Sequence, residues 1–219
     1  VGFWQGFDYK KYRIHHILEK NYEVEISDNP DYVFCSVYNN EFLKYENAIR
    51  IFYTGENVIP DFNLFDYCIG FDEISFGDRY VRVPNYLMNP KYDTDLRLMQ
   101  ERHESEGDTK REFCSYVVSN GAADPMRDFI FDEISRYKTV ASGGRYRNNI
   151  GIPEGVKDKL EFQQKYKFAL AFENTSYVGY TTEKIVEAFA AGGIPIYWGD
   201  PKIGSYFNTK AFINIMDYP

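Results

Sequence analysis

Cysteine is scarce: the 219 residues include three, Cys35, Cys68 and Cys114, far apart in the chain. So sparse and odd a set gives neither a disulfide framework nor the paired spacing of a zinc site. Cys35 and Cys114 lie inside apolar strand-like runs and read as small buried hydrophobes. Of three histidines, His15 and His16 are adjacent and point to different faces, with no further ligand at metal spacing. No apolar run approaches the roughly 20 residues that span a bilayer. No signal peptide is visible, and because residue 1 is Val1 rather than methionine the true start is expected upstream. Positive charge is in deficit, 25 Lys and Arg against 33 Asp and Glu, a net charge of −8. That balance argues against a broad nucleic-acid footprint or an anionic membrane surface. No G-x-G-x-x-G follows a strand and no G-K-[ST] loop exists, which disfavours a nicotinamide or nucleoside-triphosphate enzyme. Asp93-Thr94-Asp95 has the Asp-x-Asp spacing but sits in a charged stretch rather than at a strand end.

What is abundant is aromatic: 20 Tyr and 18 Phe. Such rings can stack on sugars or bases, but most are expected in the core. Trp4, at a strand end, could line a cleft, and core packing is the favoured reading.

The most informative stretch is residues 166–200. Residues 166–172 are a short apolar run, a buried strand. Residues 173–180 form a polar turn. From Thr182 the period changes: Ile185, Ala188, Phe189 and Gly192 fall at i, i+3, i+4 and i+7, one face of a helix that Gly192-Gly193 ends. Residues 194–198 are a second strand, stopped by Gly199-Asp200-Pro201. This is a βαβ unit with a right-handed crossover. Ligands in open parallel sheets bind beyond the carboxyl ends of the strands, which places residues 173–184 at a site. The helix amino end offers N–H groups and partial positive charge, a seat for phosphate. Lys184 puts a cation where the dipole disfavours one, and Glu183 and Glu187 are like charges at i, i+4. A bound diphosphate would account for Lys184 and a hydroxyl-rich ligand for Glu183; a solvated first turn is the alternative.

Elsewhere strands are expected at 23–26, 31–36, 49–53, 67–69, 80–83, 113–118 and 139–141. Asp8 should cap a helix through about Lys20, residues 40–46 a short helix, and Val156 to Lys165 another, while 211–216 is strand-like. Asp124-Pro125 opens a helix with Met126, Phe129, Ile130, Ile134 and Tyr137 at helical spacing. Residues 91–112, rich in charge and broken by Gly107, read as a loop between two domains, 1–108 and 109–219. The fold class is α/β, two doubly wound halves.

FENTSYVGYTTEKIVEAFAAGGIPIYWGDP resembles the signature of the α-1,3/4-fucosyltransferases that use GDP-fucose, glycosyltransferase family 10, in its bacterial type. FYTGEN at 52–57, NLFDYCIGFDE after it and GGRYRN at 143–148 are similar to further motifs of that family. The resemblance implies a GT-B fold, two Rossmann-like lobes facing a cleft, acceptor side first and GDP-fucose side second. Family members continue through further helices, so the carboxyl-terminal part is expected to be truncated. It also implies inverting transfer of L-fucose from GDP-β-L-fucose to a GlcNAc-containing, N-acetyllactosamine-like glycan in α-1,3 linkage, within glycan or lipopolysaccharide synthesis. Glu56 is implied as general base, and Arg147, Asn174, Tyr180, Glu183 and Lys184 as donor-binding residues. Ser119 and Asn120, after a strand end, are further donor candidates, and the glycine-containing stretch from Val140 through Gly143 to Gly144 could take the guanine. No cofactor or divalent metal is expected to be obligatory, because the helix dipole, Arg147 and Lys184 can neutralise diphosphate. The expected compartment is the cytoplasm in a bacterium, with peripheral membrane association through segments outside this sequence, or the Golgi lumen in a eukaryote. The competing reading is an inactive nucleotide-sugar or glycan-binding module of the same fold; the presence of Glu56 argues against it, because a binder needs no base.

Overall fold

The computed structural model describes residues 1–101 and 111–218. The chain divides into two compact units, Val1–Pro90 and Lys91–Pro219. The expected boundary between residues 108 and 109 lies outside the described residues.

The first unit carries four parallel strands in the order β1-β2-β3-β4: β1 (Tyr32–Cys35), β2 (Ile49–Tyr53), β3 (Tyr67–Gly70) and β4 (Tyr80–Arg82). Cys35, Phe52 and Cys68 are register partners across three strands, so two small thiols flank one large ring in the core. All three cysteines are buried and free. Asp8 caps only a 3-10 turn, Tyr9–Lys11; extended Tyr12 separates it from helix α1 (Arg13–Glu19), so the expected single helix is two pieces. Residues 23–26 form no strand, and Val24 and Ile26 are exposed: their alternation has no sheet to face. A short helix α2 (Asn85–Met88) follows β4. Trp4 is not a core residue, with 39% of its surface exposed.

In the second unit, residues 91–101 correct the expected loop. They hold helix α3 (Tyr92–Glu101), with acidic Asp93 and Asp95 in its first turn, where the helix dipole favours them. Tyr92, Asp95, Leu96 and Met99 share its inner face at i, i+3, i+4 and i+7, and Asp95 is buried there. A five-stranded all-parallel sheet follows in the order β6-β5-β7-β8-β9: β5 (Glu112–Tyr116), β6 (Val140–Ser142), β7 (Tyr166–Phe172), β8 (Ile194–Trp198) and β9 (Ile213–Asn214). Tyr116, Leu170 and Ile196 align across it in the core.

Helices α4 (Pro125–Tyr137), α5 (Lys159–Gln163) and α6 (Glu183–Ala190) connect the strands, and α3 packs on α6. Gly192, at φ +70°, closes α6 in the left-handed conformation. The inner face of α4 is not the expected one. Arg127, Ile130 and Phe131 are buried and Ile134 packs on the core, whereas Met126, Phe129 and Tyr137 are exposed. From β5 the chain runs through α4 to β6 on one side, then through α5 to β7 on the other. The topological switch point therefore lies between β5 and β7, where parallel sheets place ligands. Among the described residues no helix is long and apolar enough to cross a membrane.

Candidate active site

The carboxyl end of β7 delivers Glu173, which is fully buried. Its Oε1 accepts from the Thr182 N–H at 2.8 Å, and its Oε2 from the Thr182 hydroxyl at 2.7 Å and Lys184 Nζ at 3.0 Å. Lys184 Nζ also donates to Thr182 Oγ1 at 2.7 Å and lies 3.5 Å from Glu183 Oε1. Lys184 is 14% exposed. Burial works to discharge Lys184, but Glu173 and Glu183 outweigh it and raise the ammonium above the ordinary lysine range. Burial likewise works to raise Glu183, yet Lys184 and Lys159 hold its carboxyl low, at about 2. The first turn of α6 thus keeps one cation and one anion at neutral pH. Gly199 closes over this cluster: a Cβ there would meet Glu173 Cγ at 2.5 Å. Beside it, Thr181 Oγ1 donates to buried Asp200 Oδ2 at 3.0 Å, tying the turn before α6 to the end of β8.

Across the switch point, Arg127 is 1% exposed, and sequence reasoning missed it. Its Nη1 donates to Asn174 Oδ1 at 2.9 Å and its Nη2 to the Asn120 carbonyl, so one guanidinium joins the loop after β5 to the loop after β7. The signal was present: Arg127 is a cation in a first helical turn, the same anomaly that singles out Lys184.

The other candidates divide. Ser119 and Asn120 are exposed at the mouth of β5. Tyr180 is a packed aromatic, 2% exposed. Val140 lies in the core and its carbonyl accepts from Asn149 Nδ2 at 2.8 Å. The Gly143 N–H bonds the Tyr116 carbonyl at 2.8 Å. Arg147 pairs with Asp132, lies 3.5 Å from Asp128, and stacks over Phe131 at 4.5 Å. Among the described residues no group of three His, Cys, Asp or Glu is placed to hold a metal ion.

Glu56 belongs to the first unit. It follows β2 in a turn held by its own N–H to Thr54 Oγ1 at 3.1 Å and by Asn85 Nδ2 to the Gly55 carbonyl at 3.1 Å. The Tyr38 hydroxyl donates to Glu56 Oε1 at 2.6 Å. Sequence reasoning did not single out Tyr38, because no local pattern links it to a residue 18 positions away.

The fold and the charged strand-end turn define a parallel α/β protein with a candidate anion-binding turn beyond its strand ends, and comparison with known proteins narrows this. Residues 1–89 match the model of the alpha-(1,3)-fucosyltransferase FucT N-terminal domain, and residues 108–219 that of the glycosyltransferase family 10 (fucosyltransferase) C-terminal region. The chain belongs to glycosyltransferase family 10, the fucosyltransferases. It is 38% identical to the alpha-(1,3)-fucosyltransferase FucT of Helicobacter pylori across the whole chain, and spans 53% of that protein's length. Half of the chain is 34% identical to the mouse alpha-(1,3)-fucosyltransferase 4, covering 26% of it. A crystal structure of an α1,3-fucosyltransferase matches 96% of the chain, and 69% of its own, with TM-score 0.83 and 36% identity. A crystal structure of an α1,3-fucosyltransferase with GDP-fucose matches with TM-score 0.80 at the same coverage and identity.

Proposed function

We propose that the chain carries an inverting fucosyltransferase centre that moves L-fucose from GDP-β-L-fucose to a GlcNAc-containing glycan, N-acetyllactosamine-like, in α-1,3 linkage. The observation that carries this reading is the first turn of α6, where Lys184 is braced by buried Glu173 at the amino end of the helix. Two of the three Lys184 donors are used within the cluster, and the third, on an ammonium 3.5 Å from Glu183 Oε1, can turn to a diphosphate oxygen. Glu183, ionised and one-third exposed, can accept from ribose hydroxyls. The relative solved with GDP-fucose supports the same donor.

In the reaction the acceptor oxygen bonds to the anomeric carbon of fucose as the bond from that carbon to the diphosphate oxygen breaks. The electron pair leaves with GDP and the acceptor proton passes to Glu56. The charge that develops on the diphosphate meets Lys184 and the helix amino end. Arg147 can join them by releasing one of its carboxylate partners. The direct experiment is release of GDP from GDP-fucose with and without N-acetyllactosamine. Acceptor-dependent release is expected; GDP binding with no release would favour the inactive binding module.

Lys184→Ala and Arg147→Ala are each expected to weaken GDP binding by roughly ten- to hundred-fold, the worth of a charge-assisted contact. Calorimetric titration of the folded variants reads this, and parent affinity in both would remove them from the donor site. Turnover is expected to survive exhaustive chelation, because protein cations can meet the leaving group. Loss on chelation with recovery on adding magnesium or manganese would show that account to be incomplete.

A further inference from the structure

Trp4 and Tyr38 are large, exposed rings that the core does not explain: 39% and 50% of their surfaces face solvent. The residues before Trp4 bring it there. Ser36 and Tyr38 donate their N–H groups to the Val1 and Gly2 carbonyls at 3.0 and 2.8 Å, so the amino-terminal segment runs alongside the end of β1. The Trp4 indole then meets the Tyr38 ring edge-on at 6.3 Å between centroids. Behind it Trp4 is buttressed edge-on by Phe7 at 5.0 Å and Tyr12 at 5.5 Å. Rings locked this way can offer an apolar face at little cost in side-chain freedom.

The patch is not merely apolar, because Tyr38 also holds the Glu56 carboxylate at 2.6 Å. Desolvation, then the Glu56 contact, pushes the Tyr38 phenol up to about 12, so it remains a donor across the working pH range. A ligand bound here meets an aromatic face, a carboxylate that accepts and a hydroxyl that donates. A pyranose ring has the matching surface: C–H groups on one face and hydroxyls around the edge. A purely apolar partner would strand the carboxylate, and an anionic one would be repelled by it.

We propose that Trp4 and Tyr38 form the acceptor platform of this chain, a saccharide ring packing on the indole while its hydroxyl reaches Glu56, with Tyr38 the positioning residue that orients that carboxylate. The platform rests on the proposed fucosyl transfer for its chemistry but is decided by binding alone. Saturation-transfer NMR with N-acetyllactosamine as probe, in the presence of GDP, is run on the full chain, Trp4→Ala and Trp4→Tyr. The parent is expected to transfer saturation to the sugar C–H groups, Trp4→Ala to bind about ten-fold or more weakly, and Trp4→Tyr to recover most of the loss. GDP affinity, proposed for the second unit, should stay at the parent value, and far-ultraviolet circular dichroism with a cooperative urea transition reports that the first unit, which holds Trp4, is folded. Parent-like binding by Trp4→Ala, or no binding by the parent, overturns the platform without touching the donor-site reading. Tyr38→Phe keeps the ring and loses the hydroxyl. It should leave the acceptor KM within about two-fold and lower kcat roughly ten-fold; an unchanged kcat removes the positioning role. A parent that binds the disaccharide but transfers no fucose overturns that role together with the proposed function and leaves the platform standing.

Discussion

Glu56→Gln is expected to lower turnover by roughly 10²–10⁴-fold, the usual range for losing a general base, while GDP affinity stays within about two-fold of the parent. A sugar hydroxyl is a poor nucleophile, so its proton must leave as attack proceeds. Glu56 sits where a base can be held still: β2 ends at Tyr53, Thr54 is buried, and the turn is pinned at the Glu56 N–H and the Gly55 carbonyl. Glutamine keeps the length and an oxygen that can still accept from the Tyr38 hydroxyl, so the turn and the ring cluster should survive. What is lost is the capacity to take a proton. Steady-state transfer to N-acetyllactosamine, with calorimetric GDP titration alongside, separates the two effects. Near-parent transfer by a folded Glu56→Gln chain would remove Glu56 from the chemistry. Glu173 could not replace it, because that carboxylate is fully buried and both its oxygens are engaged.

How much of this was legible in the sequence differs from element to element. Strands β2, β7 and β8 are read to the residue, because each is an apolar run stopped by a sharp change of chemistry: Thr-Gly, Glu-Asn and Gly-Asp. Helices α3 and α4 are misread for one common reason. In each, a charged residue, Asp95 or Arg127, fills a position on the buried face. Periodicity arguments count apolar residues, so a buried charge erases one beat of the pattern and the face is lost or turned by one residue. The site divides in the same way. The charged turn of Glu183 and Lys184 is visible because helix electrostatics makes it anomalous within four residues. The contacts Arg127 to Asn174, Tyr38 to Glu56 and Thr181 to Asp200 join residues 47, 18 and 19 positions apart, and only the strand order brings them together. Trp4 shows the opposite error: core packing is favoured over cleft lining for a bulky ring at a strand end, and the structure leaves 39% of it exposed.

Glu173→Ala should destabilise the second unit by about 3–5 kcal/mol and, where folded protein can be recovered, weaken GDP binding as well. The expectation follows from what the carboxylate holds. Removing it leaves the Thr182 N–H and hydroxyl without their acceptor and the Lys184 ammonium without its buried counter-charge, all next to a side chain with no exposed surface. Uncompensated buried charge is costly because water cannot reach it. The cavity left against Gly199, whose close approach to Glu173 Cγ is what the glycine permits, adds to the loss. Glu173→Gln separates the contributions. It fills the same space and can accept one hydrogen bond but carries no charge, so it should recover the packing and leave the ion pair missing. Lys184 would then lose the partner that opposes its desolvation, and its position toward a diphosphate would loosen. Urea denaturation measures the stability term, and GDP titration of the folded fraction measures the positioning term. The ordering parent, Glu173→Gln, Glu173→Ala in both is the expected result. A Glu173→Ala chain as stable as the parent would mean that water or a rearranged Asp200 can satisfy this cluster. Parent-like stability with parent-like GDP affinity would show that Glu173 does not brace Lys184 for the donor.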